Sequence, residues 1–235
     1  MRFSRPLLSV ALLASLALPA TAATISVQGT GEVAAAPDMA QINSGVTTQA
    51  KTAREALDAN NEAMEQLISA LTGAGVERRD IQTSQFSVNP NYAYSDARDS
   101  SGYTQPPRID SYQVSNTVTV IVRDLDELGA ILDSSVDVGA NTINGINFSV
   151  ADPTDLYDEA RRAAVEDARR KAQLYADAAG LELEELESIT EGGNVSPPQP
   201  YAMARMDAVA ESVPVETGEL TFSISVSVSW DASED

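Results

Sequence analysis

Residues Leu220 to Trp230 (LTFSISVSVSW) place the tightest limit on the fold. Leu220, Phe222, Ile224, Val226, Val228 and Trp230 occupy every second position, with Thr221 and four serines between them. Side chains alternate between the two faces of a strand, so this segment predicts a half-buried β-strand with one apolar and one hydroxyl face. The chain must therefore build a sheet and supply apolar cover for one side of it.

The remaining pattern predicts strands and helices in alternation. Ile25 to Val33 and Met39 to Gln49 read as strands separated by the turn Ala35-Ala36-Pro37-Asp38. Thr52 and Glu55 form a capping-box pair at the start of a helix. That helix buries Ala56, Leu57, Ala63, Met64, Leu67, Ile68 and Leu71, and Gly73 and Gly75 stop it. Ile81 to Tyr92 is a further strand, with Phe86 and Val88 on one face. The polar stretch Ser95 to Arg108 predicts a mobile hairpin loop. Tyr112 to Val122 is the strongest strand, with Tyr112, Val114, Val118, Val120 and Val122 on one side.

Asp124 and Glu127 predict a capped start for a short helix that carries Leu125, Leu128, Ile131, Leu132 and Val136 inward. Ile143 to Val150 reads as a strand. Asp152-Pro153 opens the longest helix, which runs to Ala179 and ends at Gly180. Leu156, Tyr157, Ala160, Ala163, Ala164, Ala168, Ala172 and Tyr175 form its stripe, and small alanines permit close packing on a sheet. Asp158–Arg162, Glu166–Arg170 and Asp167–Lys171 are spaced as ion pairs. Leu181 to Thr190 is a strand, and Gly192 to Gly218, with four prolines, reads as a long linker.

Strands outnumber helices, and hairpins mix with crossovers. The expected class is α+β, an antiparallel β-sheet with helices packed on one face. A loose strand–helix–strand similarity relates residues 80–92 and the helix before them to residues 112–150, short of a true internal repeat.

The N-terminus predicts export. Arg2 and Arg5 precede the apolar run Leu7 to Leu18, and Ala20 and Ala22 supply the small residues of a cleavage site. Residues 1–22 are therefore expected to be a signal peptide and residues 23–235 the mature domain. The apolar run falls short of the about 20 residues that a comfortable membrane span needs. No cysteine is present, so the fold must hold without disulfides. The net charge of −20 predicts repulsion from nucleic acid and anionic lipid, hence neither nucleic-acid binding nor stable membrane insertion.

No histidine is present either, which removes the commonest general base and zinc ligand. Gly29-Thr30-Gly31 resembles the start of a dinucleotide fingerprint but leads into a strand rather than a helix. Asn147 and Asn194 open short sequons that carry little weight. Glu182, Glu184, Glu185 and Glu187 read as a solvated face rather than a catalytic pair. Asp96, Asp99 and Asp110 flank one loop without the spacing of a calcium site. Met203 and Met206 offer thioethers for Cu(I), yet two are few, and docking of a short apolar segment suits them better. These readings leave no catalytic, cofactor-binding or metal residue to name.

Together, ISVQGTGEVAAAPDMAQI, DIQTSQFSVNPNY, YQVSNTVTVIVRDLDELGAILDSSVDVGAN, GINFSVADP, EARRAAVEDARRKAQLYADAAG and ELTFSISVSVSW resemble the SIMPL-domain family. This family is of the 26 kDa periplasmic immunogenic protein and oxidative stress defence protein type. The resemblance implies an exported α+β protein of the periplasm, with some members linked to oxidative stress tolerance and at least one assembled into a large ring. It defines no catalytic residues. The expected function is a non-catalytic periplasmic protein that forms a homo-oligomer and supports envelope or oxidative stress tolerance. The alternative is a module that binds a cation or small ligand. No cofactor is expected, and the ligand is left unknown.

Overall fold

The computed structural model describes residues 23–94, 103–192, 199–201 and 213–234. The expected signal peptide, Asp96, Asp99, Asn194, Met203 and Met206 lie outside these residues. The strands are β1 (Ala23–Ala35), β2 (Met39–Ala50), β3 (Ile81–Ala93), β4 (Arg108–Val122), β5 (Thr142–Ser149), β6 (Leu181–Glu191), β7 (Gln199–Tyr201) and β8 (Glu219–Glu234). The α-helices are α1 (Ala53–Gly73), α2 (Leu128–Asp137) and α3 (Thr154–Ala179). The α+β class holds, with the strands divided between two sheets, ordered β1-β8-β6 and β3-β4-β2-β5. The segment expected to be an unbroken linker contains β7, which pairs with β8.

The chain forms two compact units. One is built from the described residues within Met1–Gly31, Arg161–Gly193 and Ser225–Asp235, the other from those within Glu32–Ala160 and Asn194–Ile224. In the second unit, β2-α1-β3 and β4-α2-β5 are two strand–helix–strand halves, which accounts for the loose internal similarity in the sequence. Both central pairings are antiparallel: Ile42 lies opposite Val120 on β4 and opposite Ile146 on β5. Each half's two strands are therefore parallel with another strand inserted between them, the split βαβ arrangement of ferredoxin-like sheets.

The helices cover one face of this sheet. Ala40, Ile42 and Val46 of β2 and Val118, Val120 and Val122 of β4 pack with Met64, Leu67 and Leu71 of α1 and Leu128, Ile131 and Leu132 of α2. The capping box forms as expected: Thr52 Oγ1 accepts from Glu55 N, and Glu55 Oε2 accepts from Thr52 N, both at 3.2 Å. Asn60 sits fully buried on α1 and donates to the Val46 carbonyl at 2.9 Å. A single side chain thus ties the helix to a sheet backbone that would otherwise be out of its reach. At the sheet's edge, Gly145 takes φ +66° at the bulge where β5 shifts register against β2, a conformation that favours glycine.

In the first unit, the apolar contact of α3 with β1 is made at alanines. Ala164, Ala168, Ala172 and Ala176 are fully buried, a stripe stepping by four residues. Opposite it is Gly29, where an added Cβ would fall 2.0 Å from the Ala164 carbonyl oxygen and 2.7 Å from Ala168 Cβ. The glycine that hinted at a nucleotide loop is instead the point where strand and helix backbones meet. Asp167 fixes the same contact, accepting from Thr30 N at 3.0 Å and from Lys171 Nζ at 2.7 Å, while Lys171 also donates to the Gln28 carbonyl at 2.9 Å. Hydrogen bonds from Lys171, Thr30 and Arg170 hold the Asp167 carboxyl far below the usual carboxylate range.

Three expectations about side chains need correction. Arg170 turns to Asp167, at 2.5 Å, rather than to Glu166. Tyr175 is 59% exposed, because the buried stripe runs from Ala172 to Ala176 and leaves Tyr175 about 100° to one side. Val136 is 56% exposed in the last turn of α2, beside β5, and among the described residues no further strand lies beyond β5 to cover it.

Gly29→Ala should destabilise the protein by about 3 kcal/mol, since neither contacting backbone can yield. Gly192→Ala, whose Cβ would meet nothing nearer than 3.6 Å, should cost less than about 0.5 kcal/mol. Urea unfolding midpoints of the two variants check this; equal midpoints would mean that strand and helix are not in tight contact.

Candidate functional site

Three surface features of the second unit stand out from its packed core. The first is a cleft of about 210 Å³ between the end of α1 and the end of β4, with Asp80 and Arg123 in its wall. Asp80 ends the short turn that leads from α1 into β3, and Arg123 follows the last core valine of β4, so antiparallel pairing brings them together. The guanidinium donates through Nε to Asp80 Oδ2 at 3.0 Å and through Nη2 to Oδ1 at 2.8 Å. Only 6% of the Asp80 side chain is exposed, against 50% of Arg123. Hydrogen bonding from Arg123 lowers the Asp80 pKa, against the opposing effect of burial, and the charges of Arg123 and Arg79 add to the lowering.

This pair is a fork-to-fork clamp between two chain segments. The rest of the cleft rim is acidic, with Glu77, Asp124 and Glu127. Glu77 is itself engaged by Arg79 at 2.9 Å. Among the described residues no three acids converge closely enough to hold a metal ion. The cleft therefore offers a weakly attractive acidic rim, with its nearest cation already neutralised by Asp80.

The second feature is an apolar groove of about 300 Å³ between α2 and β5, lined by Leu132, Val136, Ile143, Ile146 and Val213. The third lies on the β3–β4 hairpin. By register, Phe86, Val88 and Pro90 share a face with Asn116, Val114 and Tyr112 of β4, and Tyr92 pairs with Ile109. Val114 is fully buried on the helix side, yet Phe86 is 53%, Tyr92 51% and Ile109 47% exposed. The apolar face of the hairpin thus continues past its helical cover into solvent.

The residues weighed from sequence scatter. Glu182, Glu184, Glu185 and Glu187 lie exposed on the edge strand β6, with Glu184 accepting from Ser233 Oγ. Asp110 pairs with Lys51 at 3.1 Å, and Asn147 lies exposed on β5. The structure does not gather them. Asp80 escaped notice because its only mark in sequence is a single carboxylate 43 residues from its partner.

Asp80→Asn should cost about 1 kcal/mol at pH 7, a charged hydrogen bond discounted for the half-exposed arginine. Because the folded pKa of Asp80 is lowered, its contribution is fully present above the unfolded value near 3.9 and is lost as pH falls through the folded value. Melting temperatures measured from pH 7 to pH 3 should fall less steeply below pH 4 for Asp80→Asn than for the wild type. Parallel curves would show that the pair contributes nothing to folding.

The profile of the SIMPL family, described as a protein of unknown function (DUF541), matches residues 25–230. The 26 kDa periplasmic immunogenic protein of Brucella melitensis is 42% identical over 213 residues, covering 88% of this chain and 83% of the relative. The uncharacterized protein YggE of Escherichia coli K12 is 32% identical over 195 residues, covering 83% and 75%. Its counterpart in Edwardsiella ictaluri is 30% identical over 184 residues, covering 78% and 73%. Matched along nearly its whole described length, the chain belongs to the SIMPL (DUF541) family.

Proposed function

We propose that this is a non-catalytic exported protein of the periplasm that assembles with copies of itself and supports envelope or oxidative stress tolerance. The periplasmic part is supported by the name of the Brucella relative and by the export pattern of residues 1–22. Among the described residues no helix is long and apolar enough to cross a membrane.

The observation that carries assembly is the exposed apolar strip on the β3–β4 hairpin. Phe86, Val88, Tyr92 and Ile109 present large side chains to water along one face. Contiguous exposed apolar surface of this kind marks contact with another macromolecule. Each half-exposed aromatic on it would withdraw roughly 100 Å² from water on contact, about 2–3 kcal/mol. The stress-tolerance part follows from the family resemblance. The acidic rim at Glu77, Asp124 and Glu127 favours a second reading, a weak cation-binding module, and calorimetric titration with calcium tests it directly.

Light scattering of the exported chain at micromolar concentration should give a discrete mass above that of the monomer. Phe86→Ser combined with Val88→Thr should shift the population toward smaller species. A monodisperse wild-type monomer would remove self-assembly from the function. The stress role predicts that a deletion strain loses peroxide survival and that the wild-type gene restores it.

A further inference from the structure

The sheet β3-β4-β2-β5 has a second face, turned away from α1 and α2, whose strand-paired positions are uncharged, with the mutually neutralised Lys51–Asp110 pair at its border beside Gln49 and Ser111. The registers assign to this face the odd-numbered residues of β2 from Met39 to Gln49 and of β4 from Ser111 to Ile121. Their partners on β3 and β5 join them. Every one is uncharged, in a chain with 35 acidic and 15 basic residues. At the centre, Thr47 Oγ1 and Ser115 Oγ lie 2.9 Å apart, and Thr119 Oγ1 donates to Asn43 Oδ1 at 2.8 Å. Toward the flanks, Gln41, Gln85 and Asn147 are exposed. The face is mainly hydroxyls and amides, with Gly45 at its middle and Met39 and Ile121 at one end.

We infer that this face is a contact between two copies of the chain meeting about a two-fold axis. The inference rests on the self-assembly reading above and names a surface distinct from the hairpin strip, on the opposite side of the same sheet. Three physical points lead to it. A chain of net charge −20 repels its copies, and a charge-free face keeps the nearest like charges apart on approach. Amides and hydroxyls both donate and accept, so the face is complementary to itself, as a two-fold contact requires. Strands about 4.8 Å apart rising about 3.4 Å per residue give it roughly 650 Å², close to the about 800 Å² per partner of a stable interface.

A neutral glycan is the other chemistry that an uncharged polar surface suits. Small-ligand sites are concave and aromatic-lined, whereas the residues placed on this face include no aromatic ring. A second copy is therefore the better occupant.

Sedimentation velocity of the exported chain tests the inference, with Gln41→Glu, Gln85→Glu and Asn147→Asp combined in one variant. The three changes are nearly isosteric and exposed, and circular dichroism confirms that the fold is kept. The wild type should associate, and more tightly in about 0.15 M salt than in about 0.01 M, because the Debye length shortens from about 30 to about 8 Å. The variant should associate at least tenfold more weakly. If variant and wild type associate alike, the surface is wrong while self-assembly stands. If the wild type is a monomer at every concentration and salt, the self-assembly reading fails and takes this contact with it. If a chitooligosaccharide probe binds the wild type and the substitutions abolish that binding without changing association, the face belongs to a glycan and the inference is overturned.

Discussion

Close contact between narrow apolar strips holds this protein together. With no cysteine in the chain, cohesion comes from burial, and each element offers only one strip for it. The contact of α3 with β1 shows how little side chain is needed. Alanine buries one methyl group per turn and loses no rotamer freedom on folding. Gly29 removes the one atom that would hold the two backbones apart, so dispersion contacts form along the main chain itself. Larger side chains on either element would push the helix off and trade those contacts for a thicker layer. The hydrogen bonds of Asp167 and Lys171 to β1 also depend on this closeness, since a helix farther from the strand could not reach its backbone.

Features decided by local chemistry were legible in the sequence. The capping box at Thr52 and Glu55 needs only three residues of spacing, and β8 declares itself by alternation over its whole length. Features decided by partners were not. Nothing in β2 says that it lies between β4 and β5, because that depends on which apolar faces collapse onto the same helices. The three-residue β7 is too short to show any period, so it read as linker. Val136 failed because helical spacing continues past the point where a partner stops covering it, and Tyr175 because it lies to one side of an alanine stripe that stays buried through Ala176. The candidate site was the least visible part. An acid deep in a cleft and an acid in a solvated run have the same letter, and only the fold distinguishes Asp80 from Glu182.

Charge placement repeats this division at the level of whole strands. The edge strand β6 carries Glu182, Glu184, Glu185, Glu187 and Glu191 along its eleven residues. Like charges along a free edge resist pairing with a second copy, a common protection for exposed backbone. The edges β3 and β5 of the other sheet carry no charged residue at all. Their protection is backbone geometry instead: Pro90 lacks a donor, and the bulge at Gly145 interrupts the ladder. One sheet is thus guarded electrostatically, while the other is guarded only at its edges and left neutral across its outer face.

That difference bears on how an acidic protein can associate at all. Like-charge repulsion between two such chains is unfavourable in almost every orientation, so the available contacts are set less by strong attraction than by where repulsion is weakest. The neutral outer face and the apolar hairpin strip are two surfaces of that kind, and they lie on opposite sides of the same sheet. A two-fold contact through one of them makes a dimer and goes no further, because an isologous interface closes on itself. A second, different contact is what permits growth beyond two copies, and the rotation between the two fixes whether that growth closes. In the proposed assembly the hairpin strip would supply the hydrophobic driving force that the hydroxyl and amide face lacks, and the face would supply the orientation that an apolar strip alone cannot impose. An assembly using both would gain cohesion from one side of the sheet and register from the other.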